Sequence, residues 1–349
     1  MHCRRPFRRH VSCSGFQPSL EQLEDRVTPS GLNVPSASPT QAASYYAYDP
    51  ATKSLTITIP AGQNRFSFAE GATVDSSGKV HLGYSFITNG VMQNYTDDQL
   101  VQVVVNAAGT DNTAQLFTDE MANTGGQGIE TVDRVTIGNG TATVQPVDAN
   151  DNATDFLMLH GFPTIYAGLG SSDEGLINGT PNVQNIFTSF GSYAYMTSGS
   201  AYYYMAGVAN TPRYIYAYAA SPDDIAVLYT GSGPSAYVGS GNAYALMVGT
   251  DNGQAFFNEA VGFKYAEGIA TMPGLDVAYF YDSALDDCFI GYTSYSYLYA
   301  DTGDYNGDIL IYNNAASGFA QVYAYSFVGG TDYASNYDTS VNHIYGFLP

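Results

Sequence analysis

The stretch Asp276-Val-Ala-Tyr-Phe-Tyr281 decides the fold, because the chain repeats it. It matches Asp224-Ile-Ala-Val-Leu-Tyr229 before it and Asp332-Tyr-Ala-Ser-Asn-Tyr337 after it, at nearly equal spacings. Each copy is an Asp followed by alternating small or β-branched and large aromatic side chains. Such alternation is typical of a β-strand with two different faces.

A second landmark keeps the same register. Aromatic residues recur at similar steps along the chain, at Phe187, Tyr237, Phe289 and Tyr345. Because two landmarks share one spacing, the sequence predicts a tandem repeat from about residue 172 to the end.

Within each unit, short aromatic or β-branched runs recur about every ten residues, separated by Gly, Asn, Asp and Ser. These residues favour tight turns between strands. We therefore predict an all-β fold, a right-handed parallel β-helix or β-solenoid of about 52-residue repeats, with two or three coils in each unit. A β-propeller is the alternative, since its four-stranded blades have a similar length. The uneven unit lengths favour the solenoid.

The chain divides into three predicted segments. Residues 1–43 form a basic, Ser/Pro-rich leader, and residues 171–349 contain the solenoid repeats. Residues 44–170 are β-rich but less regular, and they are either a small sandwich or the capping coils that a solenoid needs at its apolar end. One segment there, Thr96 to Val104, also fits a helix with Thr96 as its N-cap.

The leader carries a recognisable motif. Pro18-Ser-Leu-Glu-Gln-Leu-Glu-Asp-Arg-Val-Thr-Pro-Ser30 follows an Arg-rich run and resembles the amino-terminal motif of exported and surface proteins of planctomycete bacteria. The pattern D-x-A-x-x-Y-D-S-x-x-x-D-x-F, from Asp276 to Phe289, is similar to tandem repeats in such proteins. The resemblance implies an extracellular or cell-surface location and a passive, repetitive exterior protein without a known active site.

Charge and hydropathy exclude two classes of partner. Residues 44–349 contain six basic and 29 acidic residues, a net formal charge of −23. Such a surface repels phosphate backbones, so we expect no nucleic-acid binding, whereas it attracts divalent cations. The sequence contains no continuous apolar run long enough to cross a bilayer, so we expect no membrane span.

Residues suited to catalysis are few. The body contains His81, His160 and His343, and no Ser lies in a G-x-S-x-G elbow. The acid pairs Asp223-Asp224 and Asp286-Asp287 suit glycosidase chemistry, but each falls at a turn of the repeat, where Asp caps the backbone. We therefore predict no catalytic residues.

One loop resembles a calcium site. Asp301, Asp304, Asn306 and Asp308 place oxygen atoms at alternating positions around Gly residues, as calcium loops do. The bidentate Glu of an EF-hand is missing, since Ala315 stands in its place. The loop is a candidate metal site for calcium, and an Asx-rich turn is the alternative.

The Tyr-rich segment from Tyr193 to Tyr218 either binds glycans by stacking or belongs to the core, and alternation alone leaves both open. Our main functional hypothesis is a structural or adhesive cell-surface protein without catalytic activity. Its partners would be cell-wall or extracellular polysaccharide or other surface proteins. The alternatives are a carbohydrate-active enzyme, either a polysaccharide lyase or a hydrolase, and a glycan-binding module on a β-helix.

Overall fold

A computed structural model describes residues 45–348, except for 63, 75–79, 97, 119–131, 148–153, 155, 171–172, 208–212, 242–243, 273 and 302–309. Its elements are all β-strands. The first fourteen are β1 Tyr45–Asp49, β2 Ser54–Ile59, β3 Arg65–Val74, β4 Val80–Thr88, β5 Val91–Thr96, β6 Gln102–Ala107, β7 Thr113–Phe117, β8 Val132–Gly138, β9 Thr141–Val147, β10 Leu157–His160, β11 Thr164–Leu169, β12 Glu174–Asn178, β13 Asn185–Ser189 and β14 Tyr193–Ser198.

The second half of the chain continues in the same way. Its strands are β15 Ala201–Gly207, β16 Arg213–Tyr218, β17 Ile225–Tyr229, β18 Ser235–Ser240, β19 Tyr244–Asp251, β20 Gln254–Val261, β21 Tyr265–Ile269, β22 Val277–Tyr281, β23 Asp287–Gly291, β24 Tyr295–Asp301, β25 Leu310–Ser317, β26 Gln321–Tyr325, β27 Tyr333–Asn336 and β28 Asn342–Tyr345.

The strands form two long sheets of 14 strands each. Sheet A has the order β1-β2-β6-β10-β9-β8-β12-β16-β20-β19-β18-β22-β26-β28, and sheet B has the order β27-β23-β24-β25-β21-β17-β13-β14-β15-β11-β7-β3-β4-β5. Because neighbouring strands lie about 4.8 Å apart, each sheet is about 60 Å long. The predicted all-β solenoid is confirmed, and two continuous sheets exclude the separate blades of a propeller.

The true structural repeat contains ten strands. In β12 to β21, the chain visits sheet A once, forms a three-stranded antiparallel meander in sheet B, crosses once to each sheet, forms a meander in sheet A and returns to sheet B. The strands β2 to β11 and β22 to β28 follow the same order. The unit of about 52 residues that the sequence indicates therefore contains five strands and makes one and a half coils. The prediction of two or three coils in each unit is wrong.

The meanders turn on Asn-Gly pairs. Asn89-Gly90, Asn139-Gly140 and Asn252-Gly253 connect adjacent antiparallel strands, and all six residues have positive φ angles between 49° and 85°. A two-residue hairpin requires these angles, and Asn and Gly adopt them at low cost. Strands joined by these hairpin turns are antiparallel, whereas strands of one sheet that are connected through the other sheet are parallel.

The core is a single layer of side chains between the two sheets. In sheet A, Ile57, Val105, Leu159, Ala142 and Ile137 are paired in register on successive strands, and each is at most 1% exposed. The pairing is parallel from β2 through β6 to β10 and antiparallel from β10 through β9 to β8, and both kinds bring apolar residues side by side, so each coil buries its inner face against its neighbours. Toward the carboxyl end many of the inward positions are Ala.

The large Tyr side chains point mainly outward. In β16, Ile215 and Ala217 are fully buried, whereas Tyr214 and Tyr218 on the other face are exposed. Tyr203 is the exception in the Tyr-rich segment, because it is 1% exposed and lies in the core. The Tyr-rich segment is therefore largely an outer surface.

Residues 44–170 differ from expectation at two points, because the repeat already begins at β2 rather than near residue 172. The helical alternative for Thr96 to Val104 is wrong: among the described residues, Leu100 N–H donates to Thr96 O in a single turn, and β6 begins at Gln102, where Val103 and Val105 point into the core. Strands β1 to β11 lie in the same two sheets as the later repeats. None of the described residues forms a helix that is long and apolar enough to cross a membrane.

Candidate functional site

The predicted calcium loop lies mostly outside the described residues. Asp301 is the last residue of β24, where its side chain is half-buried. Asp304, Asn306 and Asp308 belong to the part of the chain that is not described. The calcium prediction for this loop therefore stays a prediction.

The acid pairs of the repeat lie at corners between strands. Asp224 Oδ2 accepts hydrogen bonds from the N–H groups of Ala220 (2.8 Å) and Ser221 (2.9 Å), and its Oδ1 accepts one from Asn185 N–H (2.7 Å). Asp224 is fully buried by these contacts. Its carboxylate caps the backbone, which occupies the oxygens that a glycosidase would need.

A second corner concentrates three buried carboxylates. Asp282 follows β22, Asp287 begins β23, and Asp332 immediately precedes β27 in the next coil, and each is at most 5% exposed. We call these three residues the aspartate corner. One oxygen from each carboxylate lies within 4.8 Å of the other two.

Backbone and hydroxyl donors surround the aspartate corner. Asp282 Oδ2 accepts the N–H groups of Phe327 and Val328, both at 2.8 Å. Asp287 accepts Ser283 N–H at 2.6 Å and the Tyr312 hydroxyl. A separate donor, the Ser326 hydroxyl, lies 2.6 Å from Asp332 Oδ2.

The environment of Asp287 alters its protonation. Burial raises the pKa of the Asp287 carboxyl to about 6, although hydrogen bonds from Tyr312 and Ser283 act in the opposite direction and the Asp332 charge adds to the rise. The pKa of Tyr312 is also raised, first by burial and then by the charge of Asp287. Tyr312 therefore remains a neutral hydrogen-bond donor at physiological pH.

The sequence carries only part of the signal for this corner. Asp282 and Asp287 both lie in the quoted pattern from Asp276 to Phe289, and Asp332 begins the third copy of the repeat. Their proximity depends on which strands lie side by side. The spacing of the repeat alone does not give that pairing.

Aromatic rings in stacked and tilted contact lie across the middle of the outer face of sheet B. Ring centroids 4.6–5.9 Å apart link seven side chains across β11, β15, β14 and the ends of β13 and β17. We call this set the Tyr193 ladder; its members are Tyr166, Phe190, Tyr193, Tyr195, Tyr202, Tyr204 and Tyr229. The ladder runs along the sheet axis, perpendicular to the strands.

Sheet A carries an equivalent set near the carboxyl end. Tyr281, Tyr325 and Tyr345 lie on successive parallel strands with centroid distances of 5.5 and 5.1 Å and nearly parallel rings. We call these three residues the Tyr325 ladder. Beside it, His343 stacks on Tyr323 at 4.9 Å, which gives this histidine a packing role.

The ladder geometry limits how a sugar would bind. In the Tyr325 ladder, the ring faces between neighbours are covered, whereas the end rings Tyr281 and Tyr345 remain partly exposed. A sugar that stacks on an aromatic side chain needs an open ring face.

Burial raises the pKa of Tyr202 and of Tyr297, with nearby phenols as further causes, so these hydroxyls stay neutral.

One shallow hollow on sheet A combines charged and aromatic groups. Val132, Arg134, Val147, Asp173, Glu174, Tyr214 and Tyr216 line it. Arg134 Nε and Glu174 Oε2 form an ion pair at 2.7 Å across neighbouring strands β8 and β12. The guanidinium is therefore already paired with a carboxylate, as is expected in a chain with few cations.

No family model, curated protein or solved structure matches the chain.

Proposed function

We propose that the chain is a passive structural component of the cell exterior, an extended β-solenoid without catalytic activity. The observation that carries this proposal is the unbroken pairing of strands in two 14-stranded sheets around one hydrophobic core. Such a body distributes its stability along its length, because each coil packs on the next.

The aromatic ladders support a structural role. Each stacked pair contributes about 0.5–1.5 kcal/mol beyond the area it buries. Residues 44–349 contain only six basic residues, so cross-strand ion pairs are scarce and aromatic pairs replace them on the outer faces. The ladders therefore stiffen the sheets where other proteins use charges.

The acidic surface and the leader support an exterior location. A net charge of −23 on residues 44–349 keeps such bodies apart and soluble in the absence of cations. The leader resembles that of planctomycete surface proteins, and the chain carries it ahead of the solenoid. We infer cell-wall polysaccharide or other surface proteins as the neighbours of this body.

Immunogold labelling of intact native cells with an antibody against residues 171–349 tests this proposal. We expect gold particles along the outer boundary of the cell without permeabilisation, and release of the protein with the envelope fraction. A cytoplasmic protein labelled in parallel controls for leaky cells. Labelling that requires permeabilisation would contradict an exterior location.

A glycan-binding module is the second candidate, and the hollow around Tyr214 favours it. Tyr214 is 45% exposed beside the Arg134–Glu174 pair, so an open ring and polar groups lie together. A glycan array with the purified protein tests this candidate, with Tyr214→Ala as the binding variant and Tyr265→Ala as the control at another exposed position. Binding that both variants retain would exclude the hollow.

A further inference from the structure

The aspartate corner has an equivalent one ten-strand repeat earlier, made by Gly179, Asn185 and Asp224. The backbone contacts show the equivalence. Gly179 N–H donates to Tyr218 O at 2.8 Å, and Asp282 N–H donates to Tyr325 O at 3.1 Å. The two corners therefore share one backbone frame and differ in their side chains.

The earlier corner carries one charge and satisfies it. The Asn185 amide donates to both oxygens of Asp224, at 3.0 and 2.9 Å, in addition to the backbone donors already described. Asn185 Oδ1 in turn accepts Thr180 N–H at 2.8 Å. Every oxygen of this corner has a donor.

The later corner replaces the donor with a second acid. Asp287 stands where Asn185 stands, so the amide that would bind Asp332 is missing. Asp282 stands where Gly179 stands, and a Cβ built on Gly179 would lie 2.9 Å from Asn185 Nδ2, so a side chain at this position faces its neighbour. The later corner therefore contains two buried carboxylates, those of Asp282 and Asp287, that the earlier corner lacks.

One oxygen of the added carboxylate has no donor. Asp282 Oδ2 binds two backbone N–H groups, but Asp282 Oδ1 is buried and has no hydrogen-bond partner among the described residues. Leaving a buried carboxylate oxygen unpaired is costly. A cation in the corner would remove this cost and the repulsion between the three acids.

The oxygen set fits a hard cation. Calcium binds oxygen ligands at about 2.3–2.6 Å, so two ligands on opposite sides of one ion lie up to about 5 Å apart. The 4.8 Å limit within the corner meets this condition. The set contains neither His nor Cys, which zinc would favour. The side chains of Phe327 and Val328, whose N–H groups bind Asp282, are exposed, so the corner lies close to the protein surface.

We propose that Asp282, Asp287 and Asp332 bind a divalent cation of the calcium class and thereby lock two successive coils together. The site uses residues other than those of the candidate loop between Asp301 and Asp308. It does not depend on the proposed structural function, because the cation would bind whatever the location of the protein.

Thermal unfolding of the full-length chain tests the site. The chain is first treated with a chelator and then melted in millimolar CaCl2 or in KCl of equal ionic strength. We expect CaCl2 to raise the Tm by about 5 °C, because an ion that binds only the folded state stabilises it. Terbium provides a second readout, since an ion held beside Tyr312 should luminesce when tyrosine is excited.

Three variants locate the effect. Asp287→Asn and Asp282→Gly introduce the residues of the earlier corner, so both should fold in chelator with a Tm at least equal to that of the wild type. We expect both to lose the calcium shift and the terbium signal. Asp304→Asn, in the other candidate loop, should keep them.

The outcomes separate clearly. A calcium shift in the wild type and in Asp304→Asn, lost in the other two variants, supports the site. No shift in the wild type, an equal shift with KCl, or a shift that Asp282→Gly and Asp287→Asn both retain would overturn it. If Asp287→Asn fails to fold, the prediction is tested with Asp282→Gly alone.

Discussion

The backbone N–H of Asp287 donates a hydrogen bond of 2.8 Å to Oδ1 of Asp332, which lies at the corresponding corner of the next coil. The same bond recurs at distances of 2.7–2.9 Å in three earlier pairs, Asp133–Asp173, Asn185–Asp224 and Ser235–Asp276. A strand that begins at a corner has an N–H group that its neighbour strand does not reach. The Asp side chain supplies the acceptor, which explains why Asp opens each copy of the repeat.

Asp224→Ala should destabilise the protein strongly. The change leaves the N–H groups of Asn185, Ala220 and Ser221 without acceptors in a buried corner, and we expect a loss of about 3 kcal/mol or more. Urea unfolding followed by circular dichroism measures it. Asp223→Ala, at the exposed neighbouring position, is the matched control and should change stability by less than about 0.5 kcal/mol. Equal effects of the two variants would refute the capping role.

The raised pKa of Asp287 predicts a pH dependence in metal-free buffer. The folded carboxyl, with a pKa of about 6, binds a proton more tightly than the unfolded one, whose pKa is about 4. Its contribution to the free energy of unfolding therefore falls as pH rises from about 4 to about 6, and then levels off. Asp287→Asn lacks this contribution, so its Tm should gain on that of the wild type across this window. A constant Tm difference from pH 4 to pH 7 would rule out the shift.

Tyr325→Ala should weaken the outer face of sheet A. Tyr325 is the middle ring of its ladder and also stacks on Phe327, so the change removes three stacked pairs, and we expect a loss of about 2 kcal/mol or more. Tyr218→Ala, on the same sheet, serves as the control, because Tyr218 is 38% exposed and has no ring contact among the described residues. The Tyr218→Ala variant should lose clearly less free energy of unfolding than Tyr325→Ala. Comparable losses would mean that stacking adds little beyond strand propensity.

Gly268→Ala should be poorly tolerated although its backbone is not strained. A Cβ at this position would lie 2.4 Å from the ring of Tyr237, which is fully buried. We expect a loss of about 2–3 kcal/mol, because overpacking forces the ring from its place. Gly71→Ala, another strand position where a Cβ meets nothing within 4 Å, should be neutral or slightly stabilising. Chemical denaturation of both variants decides between these outcomes.

Most of the fold could be predicted from the sequence, because local chemistry determines it. The Asp-led copies at 224, 276 and 332 mark strand starts, and the alternation in β16 gives the inward Ala217 and the outward Tyr218. The antiparallel meanders were missed. The Asn-Gly pairs at 89, 139 and 252 signalled them, since a two-residue hairpin reverses the chain whereas a solenoid coil does not.

The aspartate corner could not be predicted in the same way. Asp287 and Asp332 are 45 residues apart in sequence, and they meet because β23 and β27 are paired in parallel. After β23, the chain first forms β24 and β25, which lie on the side of β23 away from β27. It reaches β27 only later, on the other side of β23. The distance in sequence between Asp287 and Asp332 does not reveal this order of strands. In a regular coil, the next strand in the same sheet would have paired directly with β23.

The alternation of the meanders between sheets A and B constrains how this body changes length in evolution. Inserting or deleting one five-strand unit would move every later strand from sheet A to sheet B and the reverse. The loops and aromatic ladders of one sheet would then appear on the opposite side of the solenoid. Only a duplication of ten strands, such as β12 to β21, leaves the orientation of each side unchanged. Homologues that differ in length should therefore differ by ten strands, and recombination that adds or removes five strands should be selected against wherever the two sides make different contacts.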